Sequence, residues 1–277
     1  MEIKKIILNG CSYTHGCDIT FKQNNIEPFT NFFEASKGWS TEQWNEFNSV
    51  NLTGRLKQLF KCDDVVNLAL PGFSNEYIAS KTIEYINDNW ESIDPETTIV
   101  MIGWTEFCRT VIYTEKGCFN YSFPLVDQYL EVFRNEYPKT KNLTRRIRFL
   151  KNAELIAQYY DEDMIVTNTD YFRHVNLILM LQYYLKSKGL RYVFWNSLIN
   201  FPRMNFNNDE HPVQYNGIEK LIDWSSWPSS GTKEDYERSW EELIRANPNF
   251  RTESSHPSAE ATLMWASRLF NFVNDGY

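Results

Sequence analysis

Thr98-Ile99-Val100-Met101-Ile102-Gly103 is a continuous apolar run, and it gives the clearest strand signal in the chain. An unbroken run of this kind is typical of a parallel sheet, because helices cover both faces of such a sheet. Shorter apolar runs at residues 4–10, 65–69 and 191–196 predict further strands. Helical patterns separate these runs, so the sequence predicts βαβ units with right-handed crossovers. We expect a doubly wound, flavodoxin-like three-layer α/β sandwich with a mostly parallel sheet.

The spacing of apolar residues predicts helices between these strands. The expected helices span residues 41–60, about 75–90 and 168–189, with a last helix starting at Pro257. The remaining segments read as a loop or hairpin at 104–123, a helical insertion at 124–160 and a helix near 232–246. A chain of 277 residues fits one large domain with insertions. We therefore expect a single domain, residues 1–277, with insertions at about 104–165 and 197–250.

The overall charge of the chain bears on its partners. A net charge of −8 argues against a general nucleic-acid binder, which needs a basic surface. The basic residues between 139 and 151 are interleaved with apolar ones, which favours the solvated face of an amphipathic helix over a phosphate-binding patch. The charge therefore leads us to expect no nucleic-acid partner, while the expectation of a small-molecule or glycan ester substrate rests on the motifs around Ser12 and His256 and not on charge.

Cysteine usage and hydropathy bear on the compartment. The five cysteines are scattered without a CxxC pair, which favours reduced thiols over disulfides or a zinc site. The start of the chain shows no secretory signal, and no apolar run reaches the about 18 residues that a membrane span needs. Neither ligand-spaced histidines nor a glycine-rich phosphate loop occurs. The expectation is a cytoplasmic protein without metal, cofactor or membrane partner.

Ser12 is the first candidate for chemistry, because it follows the apolar run Ile6-Ile7-Leu8 directly after a short glycine-containing turn. Ligands of open α/β sheets bind at the carboxyl ends of the strands. A serine needs a base to take its proton, and the base needs an orienting acid. His256 and Glu253, in the loop before the last helix, supply a candidate base and acid. In a doubly wound sheet these loops share one edge, so residues from both ends of the chain can meet there.

Four sequence blocks resemble the SGNH (GDSL-like) hydrolase family. In chain order they are Gly10-Cys11-Ser12-Tyr13-Thr14, Asn67–Asn75, Gly103-Trp104-Thr105-Glu106 and Glu253-Ser254-Ser255-His256-Pro257-Ser258. The order of the blocks and their positions at strand ends carry the resemblance, which covers about half of the chain. It implies that Ser12 is the nucleophile, His256 the general base and Glu253 the orienting carboxylate. It also implies that the backbone N–H groups of Ser12 and Gly72 hold the oxyanion.

The blocks depart from the family pattern at three positions. Cys11 stands where the family has aspartate, and Glu253 is one methylene longer than the usual acid. Thr105 stands where the family has an asparagine that donates to the oxyanion, and the loss of such a donor costs about 3 kcal/mol. The threonine hydroxyl is shorter, so Asn75 is the first alternative donor.

Other residues compete for these roles or extend the site. His211 is a rival base, and Cys11 is a rival nucleophile through its thiolate. The candidate substrate contacts are His15, Trp104 and Trp195. The tryptophans either stack on a sugar or pack in the core, and the composition allows both.

Two main functions follow from these residues, and transfer of the acyl group to another hydroxyl, with water excluded from the site, is a third alternative. The first is a serine esterase that removes an acyl group, with acetyl as the default, from a carbohydrate or another small polar substrate. The second is a binding or scaffolding protein that keeps the SGNH-like pocket without its catalysis, and Thr105 and Cys11 favour it. Labelling by a fluorophosphonate probe distinguishes the two.

Overall fold

The structure is a computed structural model. It describes residues 2–20, 24, 36–106, 109–114, 117–121, 168–198, 218–228, 239–240, 244, 247–253 and 256–275.

Four parallel strands form the central sheet of the described chain. The strands, with the two of a separate hairpin, are β1 (Lys5–Asn9), β2 (Asp64–Asn67), β3 (Thr98–Trp104), β4 (Thr110–Thr114), β5 (Gly117–Tyr121) and β6 (Arg191–Asn196). The order in the sheet is β2-β1-β3-β6, and β4 pairs with β5 in an antiparallel hairpin. Ile7 of β1 lies opposite Val66 on one side and Val100 on the other, so β1 is an inner strand.

Helices cover both faces of this sheet. They are α1 (Ser12–His15), α2 (Thr41–Val50), α3 (Leu52–Phe60), α4 (Asn75–Asp88), α5 (Asn168–Ser187) and α6 (Ala259–Asn274). One core cluster joins α4 and α5 to residues such as Ile7 and Val100. A second cluster joins α3 and α6 to residues such as Ile6 and Met101. Because successive strand residues point to opposite faces of the sheet, β1 contributes side chains to both clusters. The sheet thus lies between two layers of helices, and the predicted three-layer α/β fold is confirmed.

The helix expected over residues 41–60 is two helices in the structure. Asn51 adopts an extended backbone between α2 and α3, and its Oδ1 accepts a hydrogen bond from Gly54 N at 2.9 Å. Asparagine caps a helix N-terminus well, so α3 starts anew here. Gly54 allows the close approach, since a Cβ at this position would lie 1.6 Å from Asn48 O.

The last helix also begins slightly later than its sequence pattern suggests. Ser258 is its N-cap, with Oγ accepting from Ala261 N at 3.3 Å. Pro257 therefore lies before the helix, where it forms an isolated antiparallel bridge with Arg251. This bridge closes the loop that carries His256.

None of the helices in the described ranges is long and apolar enough to span a bilayer.

Candidate active site

The loop after β1 is fixed to the helix that follows β2. Asn9, the last residue of β1, donates through Nδ2 to Ile78 O and to Thr82 Oγ1, both at 2.9 Å. Its Oδ1 accepts from Gly10 N at 2.8 Å. A Cβ on Gly10 would lie 2.2 Å from Thr14 Oγ1, so glycine permits the tight turn into α1. The segment that carries Ser12 is therefore closely packed.

Ser12 is the first residue of the short helix α1 and is largely buried, with 8% exposure. Its carbonyl accepts from Gly16 N at 2.9 Å and from Cys17 N at 3.3 Å. Gly16 ends the turn with a left-handed φ of +87°. These bonds fold residues 12–18, which we call the first loop, back on Ser12. Within the described ranges, Ser12 Oγ itself forms no hydrogen bond.

His256 lies against the first loop. Its Nδ1 is 2.7 Å from Asp18 Oδ2, and its ring packs edge-on to Tyr13 with centroids 5.6 Å apart. The backbone of His256 is closed onto Thr252, with His256 N 3.1 Å from Thr252 Oγ1 and His256 O 2.8 Å from Thr252 N. The structure thus brings the loop of Ser12 and the loop of His256 into contact at the carboxyl edge of the sheet.

The carboxylate beside His256 is Asp18, and the expected partner Glu253 is not there. Glu253 is exposed in a turn, and it forms no ion pair among the residues described. Asp18 is nearly buried and has a left-handed φ of +65°. Sequence reasoning missed it because no motif marks it. The available signal was its place in the same loop as Ser12, with a side chain that tolerates positive φ.

His15, the other imidazole of the first loop, is neutral near pH 7. Burial lowers the pKa of His15 to about 4, and the charge of Asp18 only partly opposes this effect. Its Nδ1 lies 3.3 Å from Cys17 Sγ. Burial also raises the pKa of the Cys17 thiol well above its ordinary value, so the thiol stays protonated. His15 and Cys17 therefore form an uncharged pair beside Ser12, and contact between His15 and a substrate stays a prediction.

The candidate oxyanion donors differ in how they are already bonded. Gly72 is exposed with a φ of +77°, and nothing lies within 4 Å of where its Cβ would be. Asn75 is buried, and its Nδ2 has three acceptors, His174 Nδ1 at 2.9 Å, Thr105 O at 3.1 Å and Glu106 O at 3.4 Å. An amide has two N–H donors, so Asn75 has none left for a substrate.

Asn75 instead positions Thr105. Its Oδ1 accepts from Thr105 N at 2.9 Å while its Nδ2 faces Thr105 O. The Thr105 hydroxyl is buried and has no hydrogen-bond partner in the described part of the chain. The expectation about Asn75 is thus corrected, because Asn75 acts on the backbone of Thr105 and the unused donor belongs to Thr105.

The same amide determines the state of His174. Because Asn75 Oδ1 accepts from Thr105 N, Nδ2 faces His174, and His174 Nδ1 must accept. Burial lowers the pKa of His174 to about 3, and the Arg173 guanidinium contributes in the same direction. His174 is therefore a neutral, structural histidine, with its proton on Nε2.

The two tryptophans expected to contact a substrate are core residues. Trp104 is fully buried between His174 and Phe194, at ring-centroid distances of 5.7 Å and 5.5 Å. Trp195 is 2% exposed and packs 6.4 Å from the Trp265 ring. Both tryptophans lie where β3 and β6 pack against the helices. Of the two expected roles, they therefore pack in the core and do not offer a surface for stacking on a sugar.

The remaining expectations concern metal binding and His211. No group of three or more metal-ligating side chains occurs in the portion that the structure describes. His211, the rival base, lies outside the described residues.

Comparison with known proteins gives a family. The matching family model is that of a family of unknown function (DUF6071), and it spans residues 42–276. The chain belongs to DUF6071. The DUF6071 range includes Gly72, Thr105 and His256 and begins after the loop of Ser12 and Asp18.

A comparison with curated proteins finds no match. Among solved structures, the chain is similar to the psychrotrophic esterase EstA from Pseudoalteromonas sp., inhibited by monoethylphosphonate. The identity is 8% and the TM-score 0.39, over 98% of this chain and 97% of that chain. A similarity at this level does not bear on activity.

Proposed function

We propose that the chain is a serine hydrolase that cleaves an acyl ester, with Ser12 as nucleophile and His256 as general base. One observation carries this proposal: His256, near the end of the chain, contacts both Tyr13 and Asp18 of the loop that begins with Ser12. The resemblance of the four blocks to SGNH hydrolases supports the same roles. The substrate class that accompanies this resemblance is an acetyl or other acyl ester of a carbohydrate or small polar molecule.

The reaction would follow the course of acyl transfer to serine. Ser12 Oγ attacks the ester carbonyl as its proton passes to His256, and a tetrahedral oxyanion forms. His256 then gives the proton to the departing alkoxide, which leaves an acyl group on Ser12. A water molecule, deprotonated by His256, attacks this acyl-enzyme and releases the acid with Ser12 restored.

The described backbone offers donors for the oxyanion. The N–H groups of Ser12 and Gly72 donate to no other group within the described ranges. The unpartnered hydroxyl of Thr105 is a third candidate. Preorganised donors of this kind lower the barrier by about 3 kcal/mol each.

The test is the turnover of p-nitrophenyl acetate by Ser12→Ala. We expect kcat/KM to fall by at least about 10³-fold, since the nucleophile is lost and only binding and oxyanion donors remain. Ser80→Ala, at an exposed serine of α4, is the matched control and should behave like the parent. Undiminished turnover by Ser12→Ala would exclude the serine mechanism.

The second candidate is a binding protein, and one observation favours it. Ser12 Oγ forms no hydrogen bond to His256, whereas a serine nucleophile must come within hydrogen-bond reach of its base. Catalytic hydrogen bonds often tighten only when substrate binds, so a hydrolase would form the bond between Ser12 Oγ and His256 in its substrate complex. A fluorophosphonate probe decides between the two, because a hydrolase is labelled at Ser12 and a binding protein is not.

A further inference from the structure

We propose that Asp18, a residue of the first loop, is the carboxylate that orients His256, in the role that the motif resemblance assigns to Glu253. This inference rests on the proposed function, since the orientation matters for catalysis only if His256 is the base. It changes the origin of the acid, because the nucleophile and the acid then come from one loop and the last block supplies only the base.

The contact between the two residues has the geometry of a strong hydrogen bond. The separation of 2.7 Å between His256 Nδ1 and Asp18 Oδ2 is at the short end of the range for charge-assisted bonds. The Asp18 side chain is 8% exposed and that of His256 is 24% exposed. A buried carboxylate against a histidine that reaches the surface matches an acid that orients a base.

The neighbouring groups in the loop do not compete for this role. His15 is neutral and its Nδ1 lies within hydrogen-bond distance of Cys17 Sγ, and the Cys17 thiol stays protonated. Neither of them adds a charge next to Asp18 at neutral pH. His256 is the imidazole whose contact with Asp18 is short and direct.

The backbone of the first loop explains how Asp18 reaches this place. The bonds from Gly16 N and Cys17 N to Ser12 O turn the chain back, and Asp18 follows in a left-handed conformation. That conformation is costly for most residues, but aspartate and asparagine adopt it more readily than others. Glu253, by contrast, lies exposed in the turn before His256 and forms no ion pair within the described ranges.

The chemical consequence concerns the position of the proton on the imidazole. A carboxylate at Nδ1 holds the ring proton there, so Nε2 is the atom that takes the proton from Ser12 Oγ. When Nε2 is protonated, the ring carries a positive charge, and the adjacent carboxylate stabilises it. The proton then passes from Nε2 to the leaving alkoxide, and the ring returns to its neutral form.

The test compares Asp18→Asn with Glu253→Gln, and asparagine tolerates the left-handed backbone at position 18. With p-nitrophenyl acetate, we expect Asp18→Asn to lower kcat by roughly 10³- to 10⁴-fold with little change in KM, as amide replacement does in serine proteases. Glu253→Gln and the surface control Asp63→Asn should stay within about twofold of the parent. A large loss in Glu253→Gln with a normal Asp18→Asn would overturn the assignment.

A second readout does not depend on turnover. An imidazole N–H that donates to a buried carboxylate gives a strongly downfield proton resonance, which we expect in the parent and in Glu253→Gln but not in Asp18→Asn or His256→Gln. If the resonance persists in Asp18→Asn, the assignment is wrong whatever the activity. If Ser12 is not labelled by the fluorophosphonate but the resonance follows Asp18, the proposed function fails while the contact stands.

Discussion

Asn75 joins three parts of the candidate site through a single side chain. Its amide holds the backbone of Thr105 at both N and O and also reaches His174. We expect Asn75→Ala to lower the free energy of unfolding by about 3 kcal/mol, because each lost bond contributes about 1 kcal/mol and buried groups are left unpaired. Urea denaturation measures this change.

The control for this substitution is Asn45→Ala, at an exposed position of α2. It should change the free energy of unfolding by less than about 0.5 kcal/mol. Equal effects of the two substitutions would mean that the Asn75 bonds do not stabilise the fold.

His174 predicts a loss of stability in mild acid. In the unfolded chain it binds a proton near its ordinary pKa of 6.5, whereas in the folded chain its pKa is about 3. Below pH 6.5 the unfolded state therefore binds more protons than the folded state. The contribution of His174 to the free energy of unfolding then decreases by about 1.4 kcal/mol for each unit by which the pH is lowered, until the pH reaches the folded pKa. His174→Gln should reduce the slope of unfolding free energy against pH between 6 and 4 by about this amount. An unchanged slope would contradict a buried neutral His174.

The residues of the candidate site were predictable where a motif marks them. Ser12 and His256 stand in recognisable blocks at strand ends, and the structure brings their loops together. Asp18 was not predictable, because its role depends on a left-handed turn that places it beside a histidine distant in sequence. The burial of Trp104 and Trp195 was equally hidden, since composition does not tell a stacking surface from a packed core.

At the level of elements, the junction of α2 and α3 depends on Gly54. We expect Gly54→Ala to destabilise the fold by more than about 3 kcal/mol, although alanine normally favours helices. The reason is the 1.6 Å distance between the added Cβ and Asn48 O, which requires the helices to separate. Thermal unfolding followed by circular dichroism tests this change.

Gly38→Ala is the matched control, since nothing lies within 4 Å of a Cβ at that position. It should leave the unfolding temperature within about 2 °C of the parent. A Gly54→Ala protein as stable as Gly38→Ala would show that the junction accommodates the methyl group.

The strands of the central sheet and the helices that flank it were predictable to within a few residues, because apolar periodicity reports burial directly. The helical insertion expected at 124–160 and most of the helix expected near 232–246 lie outside the described residues. The exception is the break at Asn51, which the pattern of residues 41–60 conceals. An asparagine within a polar helix and an asparagine that caps a new helix look the same in sequence. The difference comes from the tight contact of Gly54 with the preceding turn.

At the scale of the whole molecule, α6 packs on one face of the sheet. Trp265 of α6 is fully buried and stacks on Trp240. We expect Trp265→Ala to lower the free energy of unfolding by about 4 kcal/mol, through lost burial and the cavity left behind. Leu263→Ala, on the exposed side of the same helix, should cost less than about 1 kcal/mol. If the two substitutions lowered the free energy of unfolding by similar amounts, the buried face of α6 that carries Trp265 would not be what holds the helix to the sheet.

The architecture was predictable as a whole because four apolar runs separated by helical patterns permit few arrangements. Right-handed crossovers then place helices on both faces. The order β2-β1-β3-β6 puts the first strand of the chain inside the sheet, and the two core clusters follow from the alternation of its side chains.

The stacked pair of Trp240 and Trp265 gives the molecule a built-in optical signal. The two indole planes are inclined by 8° with centroids 5.5 Å apart. Chromophores this close couple electronically, so a paired positive and negative band is expected in the circular dichroism of their ultraviolet transitions. The contribution of this pair would be lost if α6 detached, whereas the Trp39–Trp44 and Trp224–Trp227 pairs, with ring centroids 4.9 Å and 5.2 Å apart, would keep theirs while their own segments stay folded.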